Sequence, residues 1–203
     1  MAVSGDTVFA TVWYFVDRLG LKADAWLVAL DRRTGRELWK FVTKTPTGGV
    51  VTTGAPALFR NLAIFSIIGG SVFAVDRTTG QLVWRFTSQP RLGTSAGAEL
   101  YGGVIYQDGG DSHIYALRAT DGSVLWKGPF EAQTGSDLLV TERRIYATNV
   151  SNMFILDRAS GRRVAMLEHP KGPINGVFGS AAAYANGQVF LTMFNGAWSF
   201  DEP

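Results

Sequence analysis

Apolar residues along this chain fall in short runs that are separated by clusters of Gly, Asp, Thr and Arg. Nearly continuous apolar runs, typical of strands covered on both faces, occupy residues 26–30, 72–75, 114–117 and 153–156. Another strand is predicted before each run, at residues 8–15, 62–67, 104–107 and 145–148, and one more at 189–193. The pattern therefore predicts an all-β chain.

The apolar runs belong to a sequence repeat. Residues 29–39 read Ala-Leu-Asp-Arg-Arg-Thr-Gly-Arg-Glu-Leu-Trp, and related copies occupy residues 74–84, 116–126 and 155–165. The last of these has lost its Trp, and a fifth copy at 199–201 is cut off by the chain end. Each turn in the repeat predicts a hairpin in which Gly takes a positive φ. The turn glycines are Gly35, Gly80, Gly122 and Gly161.

Four short strands per repeat of about 40–45 residues predict a β-propeller in which each repeat is one blade. Small residues such as those at 53–56 precede the second strand and are assigned to the innermost strand, near the axis. Aligning Val8-Phe9 with Ile64-Phe65 places Met1 opposite Ala57, so the first blade is expected to lack most of its inner strand. The last blade is expected to lack its outer strand. We therefore expect a single domain, either a propeller of about five four-stranded blades or part of a larger one. Its blades are expected at residues 1–42, 43–87, 88–128, 129–168 and 169–203.

The repeated motif Ala-x-Asp-x-x-Thr-Gly-x-x-x-Trp resembles the tryptophan-docking motif of the PQQ-like, or quinoprotein-type, β-propellers. This family includes quinoprotein dehydrogenases and BamB-like assembly lipoproteins, and the resemblance covers essentially the whole chain. It implies that the Trp of one blade packs against the turn of its neighbour, while the Asp caps the turn. The docking residues implied in this way are Trp39, Trp84, Trp126, Gly35, Gly80, Gly122, Gly161, Asp31, Asp76 and Asp157.

The composition excludes several kinds of functional site and partner. The 203 residues include no Cys, two His, and 19 Lys and Arg against 17 Asp and Glu. The lack of Cys excludes disulfides, thiolate zinc sites, iron–sulfur clusters and Cys nucleophiles. A net charge of +2 is not typical of nucleic-acid binding, so no nucleic-acid partner is expected. No apolar stretch is long enough for a transmembrane helix, and no signal peptide is visible.

Three segments contain residue types used in catalysis or metal binding, and each has a simpler structural interpretation. Residues 93–97 match the Gly-x-Ser-x-Gly nucleophile elbow, but no helical pattern follows them. Residues 108–113, Asp-Gly-Gly-Asp-Ser-His, are too short for a calcium loop and predict a polar turn. His169 is expected in a solvent-facing loop. We therefore predict no catalytic, metal-binding or cofactor-binding residue.

Arg residues are concentrated in the turns between the third and fourth strands, which emerge on one face of a propeller. Eight of the 14 Arg residues lie there, and we call them the basic rim: Arg32, Arg33, Arg36, Arg77, Arg118, Arg158, Arg162 and Arg163. The rim is either a solvated turn face or a surface for anionic lipid headgroups or an acidic protein. Leu19 and Leu21 lie in an insertion found in no other blade, which is expected on the opposite side from the rim. They are either part of a second candidate interaction surface there or folded back onto the blade.

These observations favour a non-catalytic protein-interaction scaffold. The family resemblance implies an extracytoplasmic, periplasmic accessory subunit that docks on a membrane protein complex without a cofactor. Open strand edges and an uncovered blade face also favour a protein partner. A quinone- or calcium-dependent oxidoreductase fragment and a ligand-sensing propeller remain alternatives. Quinone enzymes of the family surround the axis with calcium ligands, a catalytic Asp and often a Cys pair, and none of these sets can be mapped here.

Overall fold

The computed structural model describes residues 1–15, 23–43, 54–67, 70–88, 97–130, 137–149, 152–168, 182–193 and 196–203. These residues form nineteen strands and no helix. The strands make five antiparallel sheets, each built from strands that are consecutive in the chain. The all-β prediction is confirmed, and we refer to the five sheets as blades.

The first two blades have four strands each. The first contains β1 (Ala2–Ser4), β2 (Thr7–Phe15), β3 (Ala23–Asp31) and β4 (Glu37–Thr43). The second contains β5 (Ala57–Phe59), β6 (Leu62–Ile67), β7 (Ser71–Asp76) and β8 (Leu82–Thr87).

The third and fourth blades repeat this order, and the fifth has three strands. The third contains β9 (Glu99–Tyr101), β10 (Val104–Asp108), β11 (His113–Arg118) and β12 (Val124–Pro129). The fourth contains β13 (Leu139–Val140), β14 (Arg144–Thr148), β15 (Asn152–Asp157) and β16 (Arg163–Glu168). The fifth contains β17 (Ala183–Ala185), β18 (Gln188–Met193) and β19 (Gly196–Asp201).

The core lies between consecutive blades. Adjacent residues of β6 show how this works, since Ile64 and Phe65 are 0% and 1% exposed and point to opposite faces of the sheet. Phe65 packs in a cluster with Leu27 of the first blade, whereas Ile64 packs in a cluster with Ile105 of the third. In β7, Phe73 packs in the same cluster as Leu27 and Val72 in the same cluster as Ile105. The prediction that the apolar run 72–75 is covered on both faces is therefore confirmed.

The innermost strands begin later in the chain than predicted. The small residues 54–56 contain no strand, and β5 begins at Ala57. The reason is that β5 pairs with β6 only over the residues next to their turn, from Ala57 opposite Ile64 to Phe59 opposite Leu62. The assignment of the small-residue segment to the innermost strand was wrong where the structure describes it.

The first blade also departs from expectation. We expected most of its inner strand to be missing, yet β1 pairs with β2 over three residues, as β5 pairs with β6. Ala2 lies opposite Phe9 and Ala57 opposite Ile64, so the two blades align one residue differently from the sequence-based alignment. That shift leaves room for the whole paired segment. The last blade lacks a fourth strand among the described residues, as predicted.

Candidate functional site

The turns between the third and fourth strands of four blades share one backbone conformation. We call residues 31–36, 76–81, 118–123 and 157–162 the docking turns. Their glycines, Gly35, Gly80, Gly122 and Gly161, have φ of +71° or +72°, in the left-handed region that glycine tolerates best. Each glycine amide donates a 2.8 Å hydrogen bond to the main-chain carbonyl of the first turn residue.

Carboxylates cap these turns. Asp31 Oδ1 accepts hydrogen bonds from the Thr34 hydroxyl at 2.6 Å and from the Thr34 amide at 2.7 Å. These hydrogen bonds lower the pKa of the Asp31 carboxyl from its usual range. Asp76 and Asp157 cap the second and fourth turns in the same way, through Thr79 and Ser160.

The third docking turn is capped by a carboxylate at a different position. It begins with Arg118 in place of Asp, and Asp121 accepts the amide hydrogen of Ser123 at 2.9 Å. Arg118 pairs with Asp121 at 3.3 Å, which ties the ends of the turn together. The turn conformation is therefore kept although the capping carboxylate has moved.

Tryptophans of one blade contact the docking turn of the next. The indole Nε1 of Trp39 donates to the Arg77 carbonyl at 3.0 Å, and its ring lies on Gly80. Trp84 makes the same pair of contacts with the Ala119 carbonyl and Gly122. Trp126 makes them with the Arg158 carbonyl and Gly161. A Cβ added to any of these three glycines would lie within 2.7 Å of an indole atom. The ring can therefore take this position only where the turn residue is glycine.

The basic rim divides into two groups. The first group makes contacts within the protein, and two of its members, Arg118 and Arg163, are nevertheless exposed. Arg77 donates to the Ser4 hydroxyl at 3.1 Å, and Arg158 to the Tyr106 hydroxyl at 3.2 Å and the Glu142 carbonyl at 2.7 Å. Arg118 pairs with Asp121 as described, and the Arg163 guanidinium lies 6.0 Å from the Phe154 ring centroid.

The second group of rim residues points to solvent. It consists of Arg32, Arg33, Arg36 and Arg162, whose side chains are exposed. We call these four the exposed rim arginines. Leu19 and Leu21, expected on the opposite side, lie outside the described residues.

Additional basic residues lie beside the rim and were missed in the sequence. The turns between the first and second strands meet the docking turns, because the Arg77 amide donates to the Asn61 carbonyl and the Arg158 amide to the Arg143 carbonyl. This places Arg60 and Arg143, both exposed, on the same face as the rim. The predicted order of four antiparallel strands per blade could have indicated this. In such a sheet, the turn between the first and second strands lies on the same side as the turn between the third and fourth.

An acidic pair faces an open pocket at the inner strands. The pocket has a volume of about 290 Å³ and is lined by residues 54–57, residues 97–100 and Asp137. The Gly97 amide donates to Asp137 Oδ1 at 2.6 Å. Burial, together with the nearby Asp137 carboxylate, raises the pKa of Glu99 to about 7.

This raised pKa predicts a pH dependence of stability. The folded state binds the Glu99 proton more tightly than the unfolded state, so stability falls as pH rises from about 4.5 to about 7. An amide cannot ionise, so Glu99→Gln is expected to be more stable than the wild type at pH 8, by about 1–2 kcal/mol after solvent screening. At pH 4 we expect no such gain. Urea unfolding at several pH values measures this.

The control for this prediction is Glu37→Gln, which removes an exposed carboxylate at the start of β4. It is expected to leave the stability difference between pH 4 and pH 8 as in the wild type. If Glu99→Gln shows that same unchanged difference, the buried-carboxylate explanation is wrong.

Of the other segments considered for chemistry, the structure describes residues 108–113. Residues 108–113 form a turn in which Asp108 Oδ1 accepts the Gly110 amide hydrogen at 2.8 Å. The Tyr115 hydroxyl donates to Asp111 of the same turn. In the described ranges, no group of three or more His, Asp or Glu side chains could hold a metal ion. Residues 93–96 and His169 fall outside those ranges. No helix among the described residues is long and apolar enough to cross a membrane.

Comparison with known proteins identifies a family and a fold. The family described as outer membrane protein assembly factor BamB matches residues 68–198. A search of curated proteins finds no significant match. BamB from Moraxella catarrhalis aligns over 96% of this chain and 64% of its own, with a TM-score of 0.63 and 16% identity.

Two computationally designed proteins are also similar. Ika8 aligns over 94% of this chain and 57% of its own, with a TM-score of 0.68 and 12% identity. Ika4 aligns over 74% of this chain and 91% of its own, with a TM-score of 0.60 and 14% identity. The chain thus spans less than two-thirds of the length of BamB and Ika8. Identities this low show the fold alone, and they agree with an incomplete β-propeller.

Proposed function

Since this chain belongs to the family described as outer membrane protein assembly factor BamB, we propose that it is a non-catalytic protein-interaction scaffold. In this proposal it is an accessory subunit that docks on a membrane protein complex outside the cytoplasm. The family description supports the location, and the basic rim supplies the docking surface.

The observation that carries the proposal is the set of exposed rim arginines. Their side chains are exposed, whereas Arg77 and Arg158 of the same turns bind neighbouring groups. The carboxylates of the turns are already engaged, because Asp31 and Asp157 accept hydrogen bonds from Thr34 and Ser160. The face therefore presents guanidinium groups outward, and these pair most strongly with carboxylates or phosphates. We assign it to an acidic protein surface on the membrane complex.

The oxidoreductase and ligand-sensing alternatives receive less support from the described residues. The pocket at the inner strands brings together two carboxylates, Glu99 and Asp137, without a third His, Asp or Glu that could complete a metal site. Calcium and quinone titrations followed by Trp fluorescence would detect either alternative directly.

Charge reversal tests the docking surface. The double variant Arg33→Glu/Arg162→Glu is expected to weaken binding of the purified protein to membranes from its source by about tenfold, because two attractive charges become repulsive. Binding of the variant should also depend less on salt concentration. Cosedimentation over a range of NaCl concentrations measures both effects.

The matched control is Arg85→Glu/Lys127→Glu, which changes the net charge equally in the outermost strands β8 and β12. It should leave binding near the wild-type level. Equal losses in the two double variants would mean that net charge alone matters, and would remove the rim as a specific surface. Equally strong binding to protein-free phosphatidylglycerol vesicles would assign the rim to lipid instead.

A further inference from the structure

An open pocket lies between the first and second blades, on the face of the basic rim, and we call it the rim pocket. It has a volume of about 280 Å³, and the side chains that line it include Ser4, Phe9, Leu38, Trp39 and Arg77. A cavity of about 150 Å³ is large enough to hold a benzene ring. The rim pocket therefore has room for an aromatic side chain.

The corresponding space between the second and third blades holds an aromatic ring of the chain itself. Phe59 is the counterpart of Ser4, because each is the last residue of its inner strand. The Phe59 ring lies against the third blade, 3.4 Å from where a Cβ on Gly103 would stand. It packs in the same cluster as Ala119, which is fully buried and takes the place of Arg77.

Between the third and fourth blades, the same space holds a ring together with a guanidinium. Tyr101 is the last residue of β9, and its ring centroid lies 4.8 Å from the Arg158 guanidinium. Arg158 also donates to the Tyr106 hydroxyl at 3.2 Å. Arg158 is the counterpart of Arg77, since each directly follows the Asp that begins its docking turn. The rim pocket thus has the guanidinium of this arrangement without the ring.

A small residue at this position does not by itself leave a pocket. Thr141 is the counterpart of Ser4 in the fourth blade, with two turn residues between it and the second strand. Its hydroxyl donates to Glu202, whose side chain is 5% exposed and fills the space. Between the first and second blades, Arg77 instead donates to the Ser4 hydroxyl at 3.1 Å, and the pocket beside it is open.

Positive charge is concentrated beside the rim pocket. Arg77 lines it, and Leu38 follows the first docking turn by two residues. That turn contains three of the four exposed rim arginines, and the exposed Asp6 in the adjoining turn offsets only part of their charge. A ring that enters the pocket is therefore best accompanied by carboxylates.

We propose that the rim pocket binds a tyrosine or phenylalanine side chain that the partner protein presents beside carboxylates. The ring lies against Phe9 and Trp39 and on the Arg77 guanidinium, as the Tyr101 ring lies on Arg158. The flanking carboxylates pair with the exposed rim arginines. Aromatic side chains that fill pockets in this way supply much of the binding energy of an interface. The inference rests on the proposed scaffold function for the identity of the partner.

Short peptides test the pocket without the membrane partner. The probes are acetyl-Glu-Tyr-Glu-amide, acetyl-Glu-Ala-Glu-amide and acetyl-Lys-Tyr-Lys-amide. NMR follows the Trp39 indole N–H, which donates to the Arg77 carbonyl at 3.0 Å beside the pocket. We expect the first peptide to shift this signal and to bind at least about tenfold more tightly than either of the others. Its tyrosine ring should show nuclear Overhauser contacts with Phe9 and Trp39 of the wild type.

A variant that fills the pocket provides the second arm. Ser4→Tyr gives the first blade the ring that Tyr101 supplies in the third, so it should abolish the shift caused by the tyrosine peptide. It should also weaken membrane binding by about tenfold, although no charge has changed. Val3→Tyr is the matched control, because the exposed Val3 points to the other face of β1 and adds the same ring outside the pocket. It should bind peptide and membranes as the wild type does.

Equal binding of the tyrosine and alanine peptides, or full binding of the tyrosine peptide by Ser4→Tyr, would overturn the proposal. So would ring contacts outside the pocket, or an equal Trp39 shift with inorganic phosphate alone. Membrane binding of Ser4→Tyr at the wild-type level would contradict the assignment to the partner. Failure of the scaffold function is distinguishable from these results, since it leaves membrane binding unchanged in the Arg33→Glu/Arg162→Glu variant while the wild type still binds the tyrosine peptide.

Discussion

Trp84→Ala is expected to lower the free energy of unfolding by about 3–5 kcal/mol, the range for truncating a buried aromatic side chain. Trp84 is 8% exposed and packs in the cluster that joins Ile64 of the second blade to Ile105 of the third. Its removal also takes the indole N–H away from the Ala119 carbonyl. Urea unfolding monitored by circular dichroism measures the loss.

Trp198→Ala provides the comparison for this prediction. Trp198 lies in the fifth blade and is 42% exposed, so its truncation should cost less than about 1 kcal/mol. If both variants lose the same stability, the contribution of Trp84 comes from a general property of tryptophan and not from contact between blades.

Alanine at Gly122 is expected to cost more than alanine at Gly35, although the two backbones are nearly identical. Both glycines have a φ of +71° or +72°, so each substitution carries the left-handed penalty of about 1–2 kcal/mol. At Gly122 the added Cβ would also lie 2.5 Å from the Trp84 ring, which adds about 1–3 kcal/mol of overpacking. We therefore expect losses of about 2–5 kcal/mol for Gly122→Ala and about 1–2 kcal/mol for Gly35→Ala.

The pair of variants separates backbone strain from ring contact. The same unfolding measurement serves for both, and Trp84→Ala/Gly122→Ala extends it to a double-mutant cycle. In the absence of the ring, the extra cost at Gly122 should disappear. Equal losses at Gly35 and Gly122 would show that the indole yields freely, contrary to the tight contact described here.

The second and third strands were the part of the fold most accessible from the sequence. Residues 62–67 were predicted as a strand and form β6 with the same limits. Such strands are apolar on both faces, because each face packs against a different blade, and the pattern is therefore strong. The inner strands gave a weaker signal, since β5 and β9 have only three residues each. A one-residue error in aligning the first blade was enough to misjudge β1.

The candidate surface was only partly predictable. The Gly and Trp positions of the docking turns followed from the repeat, because they recur at fixed spacing. The division of the basic rim did not, since the partners of Arg77 and Arg158 come from other turns and other blades, at Ser4 and Tyr106. Glu99 and Asp137 were missed because they approach each other across two blades. Each of these carboxylates follows a run of small residues, and this shared position could have indicated that they lie close together.

The measurement that tests the scaffold proposal most directly is the native mass of the protein after gentle isolation from its source membranes, with identification of the co-purifying chains. We predict an assembly much larger than the 22.0 kDa chain, with a fixed ratio of this chain to an identified membrane protein. The assembly should lose the chain when Arg33 and Arg162 are reversed to Glu. A single species of 22.0 kDa, unchanged by that reversal, would contradict the proposal.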